Sequence, residues 1–198
     1  MQKAEFDQYA ETYDDVLNDS TPLNLSENVY FAEYKIALTA KLLGPAKPAY
    51  VLDFGCGAGR SLPYLASYFP DARLFGYDVS PASLAVAKRR VPKLTTFSDW
   101  SEIGSDSFDL IIAANVFHHI PPAERRFSLE RCREALTASG SLFLFEHNPY
   151  NPATRWMFDH CPFDVGAEML CLRAAKRLAA NAGMRLKQHG YTLFFPRP

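Results

Sequence analysis

The stretch Val51-Leu52-Asp53-Phe54-Gly55-Cys56-Gly57-Ala58-Gly59-Arg60 decides the fold of this chain. Tyr50 to Leu52 predict the end of a short apolar strand, and Leu62 to Phe69 predict the helix that follows. The three glycines between them let the backbone turn sharply, and without a Cβ they leave room for a ligand against the main chain. The spacing D-x-G-x-G-x-G differs from the dinucleotide fingerprint G-x-G-x-x-G. A glycine-rich turn can also simply connect a strand to a helix without binding a ligand, so its interpretation depends on the residues downstream.

A second motif downstream agrees with a ligand-binding turn. Leu74-Phe75-Gly76-Tyr77-Asp78 predicts a short strand that ends in a carboxylate. Asp78 lies close to the offset of about 20 residues after the last glycine at which nucleotide-binding folds place an acid on the ribose hydroxyls. A carboxylate can accept hydrogen bonds from both hydroxyls of a diol, each worth about 1.5–3 kcal/mol. The two motifs together predict a nucleotide-type cofactor site.

From Tyr50 onward the pattern alternates between strand and helix. This alternation predicts an α/β fold, a Rossmann-like doubly wound and mostly parallel sheet with helices on both faces. We predict helices over 3–17, 28–43, 62–69, 122–136 and 167–182, and a further helix that opens at Ser80-Pro81. The predicted strands end at 52 and 78 and cover 94–98, 108–116, 141–146 and 185–195, with Gly140 ending the preceding helix. Residues 147–167 are predicted to form a long loop with one helical turn.

The glycine loop, Asp78 and the strand Ser107–Ile112 carry a family resemblance. Over about residues 45–150 the sequence resembles the class I S-adenosylmethionine-dependent methyltransferases. The resemblance implies S-adenosyl-L-methionine as cofactor, S-adenosyl-L-homocysteine as product, and no metal. In this family the glycine loop holds the methionine part of the cofactor, and an N-terminal helix lies over it. The residues that match positions touching the cofactor are Tyr13, Asp53, Gly55, Cys56, Gly57, Gly59, Asp78, Val79, Asp99, Trp100 and Asn115.

The same resemblance assigns parts of the cofactor to particular strand ends. Asp78 would hold the ribose, Asp99 would meet the adenine amino group with Trp100 beside the ring, and Asn115 would lie near the sulfonium. We expect one methyltransferase domain over residues 1–198. Its parts are an N-terminal helical lid (1–45), a cofactor-binding core (46–146), an acceptor-side loop (147–167) and a C-terminal helix and strand (168–198).

The predicted sheet lacks the seventh antiparallel strand that the family normally has. Six strands are predicted, and the sequence ends at Phe194-Phe195-Pro196-Arg197-Pro198. The sixth strand then pairs with the fifth, or a second protomer supplies a strand in a homodimer, or the natural chain continues past Pro198. We favour the last, because Pro196 and Pro198 are typical of the start of a turn.

Composition excludes several function classes. The 198 residues have 48% hydrophobic and 22% charged residues with a net charge of −1, a globular balance without the basic footprint of a nucleic-acid partner. The longest apolar run, Leu110 to Phe117, is too short to span a bilayer, so no membrane insertion is expected. The four scattered cysteines and the charged first residues predict a protein of the reducing cytoplasm.

Histidines supply the candidate general bases. His118 and His119 follow the fourth predicted strand and His147 follows the fifth, so all three lie at the carboxyl edge of the sheet, where ligands bind. Methyl transfer needs alignment of nucleophile, methyl and sulfur, and a hydroxyl acceptor also needs to lose its proton. Each histidine could instead satisfy backbone groups at a strand end.

We therefore expect a methyltransferase that acts on a small-molecule acceptor, at oxygen. Two alternatives remain open: a cofactor-binding regulatory or scaffold protein without transferase activity, and a nicotinamide-dependent dehydrogenase. The glycine spacing and the acid at Asp53 disfavour the dehydrogenase. The acceptor itself is not predicted by the sequence.

Overall fold

The computed structural model describes residue 7, residues 10–12 and residues 27–192, with side chains in the first helix from residue 30 onward. Five strands form one sheet in the order β3-β2-β1-β4-β5, and all four pairings are parallel. The strands are β1 (Tyr50–Phe54), β2 (Arg73–Tyr77), β3 (Thr95–Phe97), β4 (Phe108–Ala114) and β5 (Leu136–Phe145). The predicted Rossmann-like parallel sheet is confirmed.

Six α-helices connect or flank these strands in the described part of the chain. They are α1 (Glu27–Leu43), α2 (Leu62–Tyr68), α3 (Pro81–Arg90), α4 (Pro122–Ala135), α5 (Pro152–His160) and α6 (Leu172–Asn181). Short 3-10 turns cover Trp100–Glu102, Phe117–His119 and Pro162–Asp164. Because parallel strands require crossovers, most of these helices alternate with the strands.

The central strands separate two hydrophobic clusters, one on each face of the sheet. Val51 packs in the cluster that includes α1, α2 and α3, whereas its neighbour Leu52 packs in the cluster that includes α4 and α6. Leu110 and Ile111 alternate in the same way, and all four side chains are fully buried. Successive side chains of a strand point to opposite faces, so a strand covered on both faces must be apolar at every position. The nearly continuous apolar run of β4 follows from this.

The junction between α4 and β5 differs from the prediction. The helix ends at Ala135 and the strand begins at once with Leu136, so Gly140 lies inside β5 and does not end the helix. The strand pairing shifts there, from Phe108↔Leu136 to Leu110↔Ser141. A Cβ on Gly140 would lie 2.9 Å from the carbonyl oxygen of Phe108. The glycine is needed for close approach to the neighbouring strand, which is a second reason for a glycine besides ending a helix.

Three other predictions are corrected in the last third of the chain. The region 147–167, predicted as a loop with one helical turn, contains the nine-residue helix α5, which Asn151 caps through bonds from Ala153 N and Thr154 N. The helix predicted from residue 167 begins at Leu172. Residues 185–192 of the predicted sixth strand are exposed irregular backbone, and 193–195 lie outside the described residues. Residue alternation alone did not make a strand there, because a strand also needs a neighbour with which to pair.

The N-terminal region is described only in part. The predicted second helix is confirmed as α1. Asp7 accepts a hydrogen bond from the Ser80 hydroxyl, and Ala10 packs against Ala58 and Val86, beside the glycine loop and α3. Tyr13 and most of the predicted 3–17 helix lie outside the described residues.

Candidate active site

The glycine loop has the backbone that its sequence predicts. Gly55, Gly57 and Gly59 all have positive φ, at 73°, 51° and 82°, a region that side chains rarely adopt. Gly55 N and Cys56 N donate to the carbonyl of Tyr77, at 2.7 and 3.0 Å, which ties the loop to the end of β2. An added Cβ would meet Val116 at Gly55 and Ala87 at Gly59, but it would meet nothing within 4 Å at Gly57. The outer glycines therefore allow close packing, and the middle one borders open space.

Asp78 bridges the loop and the next helix. Its Oδ2 accepts a hydrogen bond from Gly57 N at 2.8 Å, and its Oδ1 accepts one from Ser80 N at 2.9 Å. Burial raises the pKa of Asp78 above its usual value, and the two backbone hydrogen bonds oppose that rise. The two motifs that the sequence places far apart thus meet through one carboxylate.

Asp53 is the acid of the site whose pKa is raised the most. It is 3% exposed, and burial, together with the nearby charge of Asp78, raises its pKa from 3.8 to about 7. Lys35 of α1 acts in the opposite direction on Asp53. Burial lowers the pKa of Lys35 itself to about 8, against the attraction of Glu146 and Asp53. Lys35 was not among the predicted site residues, because a single lysine within a helix carries no signal of its own.

The side of the cleft assigned to the adenine is aromatic. Trp100 packs edge-on against Tyr77 and Phe54, with ring centroids 5.0 and 5.5 Å apart, and it lines the cleft. Asp99 is exposed and does not line the cleft; its Oδ1 accepts from Ser101 N at 2.8 Å and caps the following turn. That hydrogen bond lowers the pKa of Asp99.

Two further predicted residues lie at strand ends beside the cleft. Asn115 follows β4 with a positive φ of 59°, and its N–H donates to the carbonyl of Phe145 at 2.8 Å. An asparagine tolerates this conformation better than most residues. Val79 is exposed at the end of β2, and both residues line the cleft.

The three predicted histidines form one cluster with two carboxylates. His118 Nδ1 lies 2.7 Å from Glu146 Oε2, and His118 Nε2 lies 3.2 Å from Asp164 Oδ1. His119 Nε2 lies 3.4 Å from the same oxygen of Asp164. The ring of His118 lies 4.0 Å from that of His119 and 5.0 Å from that of His147, between centroids. We call these five residues the histidine cluster.

The cluster divides its histidines into two kinds. Burial alone would lower the pKa of His118, but hydrogen bonds to Asp164 and Glu146 outweigh it and raise the pKa to about 9. Burial and the neighbouring charge of His118 lower the pKa of His119 to about 3 and that of His147 to about 4. At neutral pH His118 is an imidazolium, and the other two histidines are neutral.

The two carboxylates of the cluster come from elements that pattern analysis did not connect. Glu146, at the end of β5, also accepts hydrogen bonds from Val116 N at 3.0 Å and Phe117 N at 2.7 Å, and so fixes the turn that carries His118. Asp164 ends the 3-10 turn Pro162–Asp164, far along the chain. The sequence placed Glu146 at a strand end without a role, and no spacing rule pointed to Asp164.

One cleft of about 1900 Å³ joins these parts; it begins at the carboxyl edge of the sheet and continues along β5 to α6 and residues 183–192. Of the predicted residues, it is lined by Asp53, Gly55, Cys56, Gly57, Asp78, Val79, Trp100, Asn115, His118, His119 and His147. Gly59 packs behind the loop and Asp99 lies outside the cleft. Ligands of open parallel sheets bind at this edge. The fold and the cleft define a nucleotide-type binding protein of the doubly wound α/β class.

Comparison with known proteins identifies the family within this class. The family model described as "Methyltransferase domain" matches residues 52–142. An uncharacterized methyltransferase of Synechocystis is 32% identical over 148 residues, which are 72% of this chain and 66% of the relative. The carboxy-S-adenosyl-L-methionine synthase of Campylobacter jejuni is 29% identical over 157 residues, 75% of this chain and 63% of the relative.

Solved structures agree on the fold. A Nostoc punctiforme structure, described as that of a candidate O-methyltransferase, matches with a TM-score of 0.68 at 22% identity, covering 92% of this chain and 55% of the other. The chain belongs to the class I S-adenosylmethionine-dependent methyltransferases, as the sequence motifs predicted. It spans at most 66% of the length of the relatives named here. Among the described residues, none of the helices combines the length and the apolar character that a bilayer crossing requires.

Proposed function

We propose that this protein transfers a methyl group from S-adenosyl-L-methionine to a small-molecule acceptor, at oxygen. The observation that carries the proposal is the single cleft that joins the glycine loop, Asp78 and the histidine cluster. A cofactor site and a set of proton-accepting side chains therefore face the same space. The Nostoc structure described as a candidate O-methyltransferase supports the choice of oxygen.

The residues present fit the cofactor. Gly57 borders open space where a Cβ would lie against a ligand, and it is linked to Asp78 by a hydrogen bond. In this proposal the glycine loop and Asp53 hold the methionine part, Asp78 holds the ribose, and Trp100 flanks the adenine. Cys56, Val79, Asn115 and Tyr13 remain assigned to cofactor binding on the resemblance. Asp99 keeps this assignment on the resemblance alone, since it lies outside the cleft and caps the following turn. The cofactor supplies the reactive methyl group, and the protein aligns it with the acceptor.

A neutral histidine takes the acceptor proton in this proposal. A base must have a free lone pair, and His118 has both nitrogens directed at carboxylates and a pKa of about 9. His119 and His147 are neutral at pH 7, so each has a lone pair for a proton, but pKa values of about 3 and 4 make both weak bases. Asp164, 3.4 Å from His119 Nε2, would stabilise the cation formed on His119. Of the three histidines predicted as candidate bases, His118 is therefore not the base in this proposal.

The remaining assignments rest on the same proposal. We keep the assignment of one domain in which residues 147–167 lie on the acceptor side. Asp164 supports it, because this residue lies in that segment and belongs to the histidine cluster. The four cysteines are free thiols in the described part, which supports the cytoplasm as the location. The homodimer stays a prediction. The preference for a small molecule over nucleic acid as the partner also stays a prediction.

A thermal-shift experiment separates the proposed function from its alternatives. S-adenosylhomocysteine at 100 times its dissociation constant should stabilise the protein by about 2.7 kcal/mol, and NADH should not. Stabilisation by NADH alone would overturn the family-based proposal in favour of a dehydrogenase. Cofactor binding without turnover on any hydroxylated acceptor would favour the regulatory or scaffold alternative.

Alanine variants test the base. His119→Ala or His147→Ala should lower turnover about 10²–10⁴-fold while leaving cofactor affinity unchanged. His160→Ala is the matched control, because His160 is exposed on α5, where its described contacts are with the carbonyl and the ring of Trp156. Near-normal turnover in both variants would mean that alignment alone drives the reaction, and it would count against an oxygen acceptor.

A further inference from the structure

The histidine cluster contains three side chains in an arrangement that ordinary proton transfer does not require. One ring nitrogen of His118, one of His147 and one carboxylate oxygen of Asp164 lie within 4.8 Å of one another. These groups come from three separate points of the chain, after β4, after β5 and at the end of the 3-10 turn Pro162–Asp164. Their convergence therefore depends on the fold and does not arise from local sequence.

We propose that His118, His147 and Asp164 bind a divalent transition-metal ion of the Zn²⁺, Co²⁺ or Fe²⁺ type. Two imidazoles and one carboxylate form a ligand set that such ions favour, and it differs from the all-oxygen sets that hold Mg²⁺ and Ca²⁺. Three protein ligands also leave a coordination position open for water or a ligand oxygen, as in catalytic sites of this kind.

The distances suit an ion of that size. Metal–ligand bonds of about 2.1 Å place the ligand atoms of a tetrahedral site about 3.4 Å apart. The 3.2 Å between His118 Nε2 and Asp164 Oδ1 already matches this separation. The remaining separations lie within 4.8 Å, so these atoms must approach one another by up to about 1.4 Å when the ion binds.

Glu146 provides the support that a ligating histidine usually has. Ligating histidines almost always direct their second ring nitrogen at a carboxylate or carbonyl, which fixes the ring and makes it a better ligand. Glu146 Oε2 lies 2.7 Å from His118 Nδ1, while Glu146 Oε1 is held by Val116 N and Phe117 N. Glu146 therefore fixes the ring of His118 with its Nε2 directed at Asp164.

The metal proposal stands apart from the proposed function. It needs neither S-adenosylmethionine nor an acceptor, and cofactor binding at the glycine loop does not require the ion. If His147 is a ligand, then His119 is the remaining neutral histidine that can act as the base.

A Co²⁺ titration tests the site directly. The protein is treated with a chelator, exchanged into metal-free buffer and titrated with Co²⁺ while the visible absorption is recorded, and Zn²⁺ binding is measured by calorimetry. We expect one ion per chain. His147→Ala and Asp164→Asn should each weaken binding more than 100-fold. Glu146→Gln, which acts through His118, should weaken it about 10–100-fold.

Two controls keep the test specific. His160→Ala and Asp159→Asn change a histidine and an exposed carboxylate on the adjacent α5, and they should leave metal affinity unchanged. S-adenosylhomocysteine binding, measured in parallel, shows whether a variant is folded and tests the proposed function separately.

Absence of stoichiometric Co²⁺ and Zn²⁺ binding to the wild-type chain would overturn the proposal, whatever the variants do. The same loss of affinity in the control and ligand variants would also overturn it. In either case the cluster is a metal-free network, in which the His118 cation is held between two carboxylates.

Discussion

Replacing Asp53 by asparagine should stabilise the fold and weaken cofactor binding. The shift of the Asp53 pKa from 3.8 to about 7 means that its buried carboxylate opposes folding. Each pKa unit corresponds to about 1.4 kcal/mol, so the full penalty is about 4 kcal/mol. Because the folded-state pKa is raised, the penalty is absent below about pH 4, grows as pH rises and is complete above about pH 7. Asparagine has nearly the same shape and carries no charge.

The penalty can be measured as a pH-dependent difference between two proteins. The free energy of unfolding of Asp53→Asn minus that of wild type should increase by about 2–3 kcal/mol between pH 5 and pH 7.5. Urea unfolding, extrapolated to zero denaturant at both pH values, measures it. Groups that titrate equally in both proteins cancel in this comparison. Asp71→Asn, at an exposed position before β2, is the control and should show no such change.

The same substitution should lower cofactor affinity. If the carboxylate binds the charged methionine part, its loss costs about 1.5–3 kcal/mol, or roughly 10- to 150-fold in the dissociation constant. A flat difference in stability between pH 5 and 7.5 would refute the view that Asp53 is a buried, destabilising acid. Increased stability with unchanged affinity would refute its role in binding. Functional sites commonly hold such groups at the expense of stability.

Three further outcomes follow from the same geometry. Asp78→Ala should lose about 1.5–3 kcal/mol of S-adenosylhomocysteine binding by calorimetry, and unchanged affinity would remove Asp78 from the site. Gly57→Val should abolish S-adenosylhomocysteine binding, since the valine side chain would occupy the open space beside the loop. Gly104→Ala, at an exposed turn before β4, is the control and should leave binding unchanged. Equal affinities of the two variants would contradict the loop assignment. Hydrogen exchange with S-adenosylhomocysteine should show added protection in residues 3–30 and 147–167, and protection restricted to 51–60 would contradict a lid.

The half of the cleft that contains the glycine loop and Asp78 could be predicted from sequence because it follows local rules. A turn from a strand into a helix needs glycine where φ is positive, and the spacing of Gly55, Gly57 and Gly59 is visible without a structure. Asp78 follows at a distance fixed by one helix and one strand. Each of these features depends on fewer than about 30 consecutive residues, the length of one βαβ unit.

The half of the cleft that contains the histidine cluster could not be predicted in the same way. Glu146, Asp164 and Lys35 come from β5, from a 3-10 turn and from α1, and only tertiary packing brings them to one cleft. The sequence identified His118, His119 and His147 as residues at strand ends but gave no basis for assigning different charges to them. That difference arises from Glu146 together with Asp164, whose segment was predicted as a loop. The sixth strand was predicted wrongly over residues 185–192 for the same reason, since strand formation depends on a partner strand that lies far along the chain.

Four carboxylates of the cleft, Asp53, Asp78, Glu146 and Asp164, differ in what compensates their charge. Asp78 accepts two backbone N–H groups, whereas Glu146 and Asp164 are paired with His118. These pairings lower the pKa values of Glu146 and Asp164 despite burial. Asp53 has mainly the attraction of Lys35, and its pKa stays near neutrality. Asp53 is therefore the acid whose charge the fold compensates least. A cationic ligand beside it would supply the missing compensation, so cofactor binding should release part of a proton at pH 7, and Asp53→Asn should abolish that release.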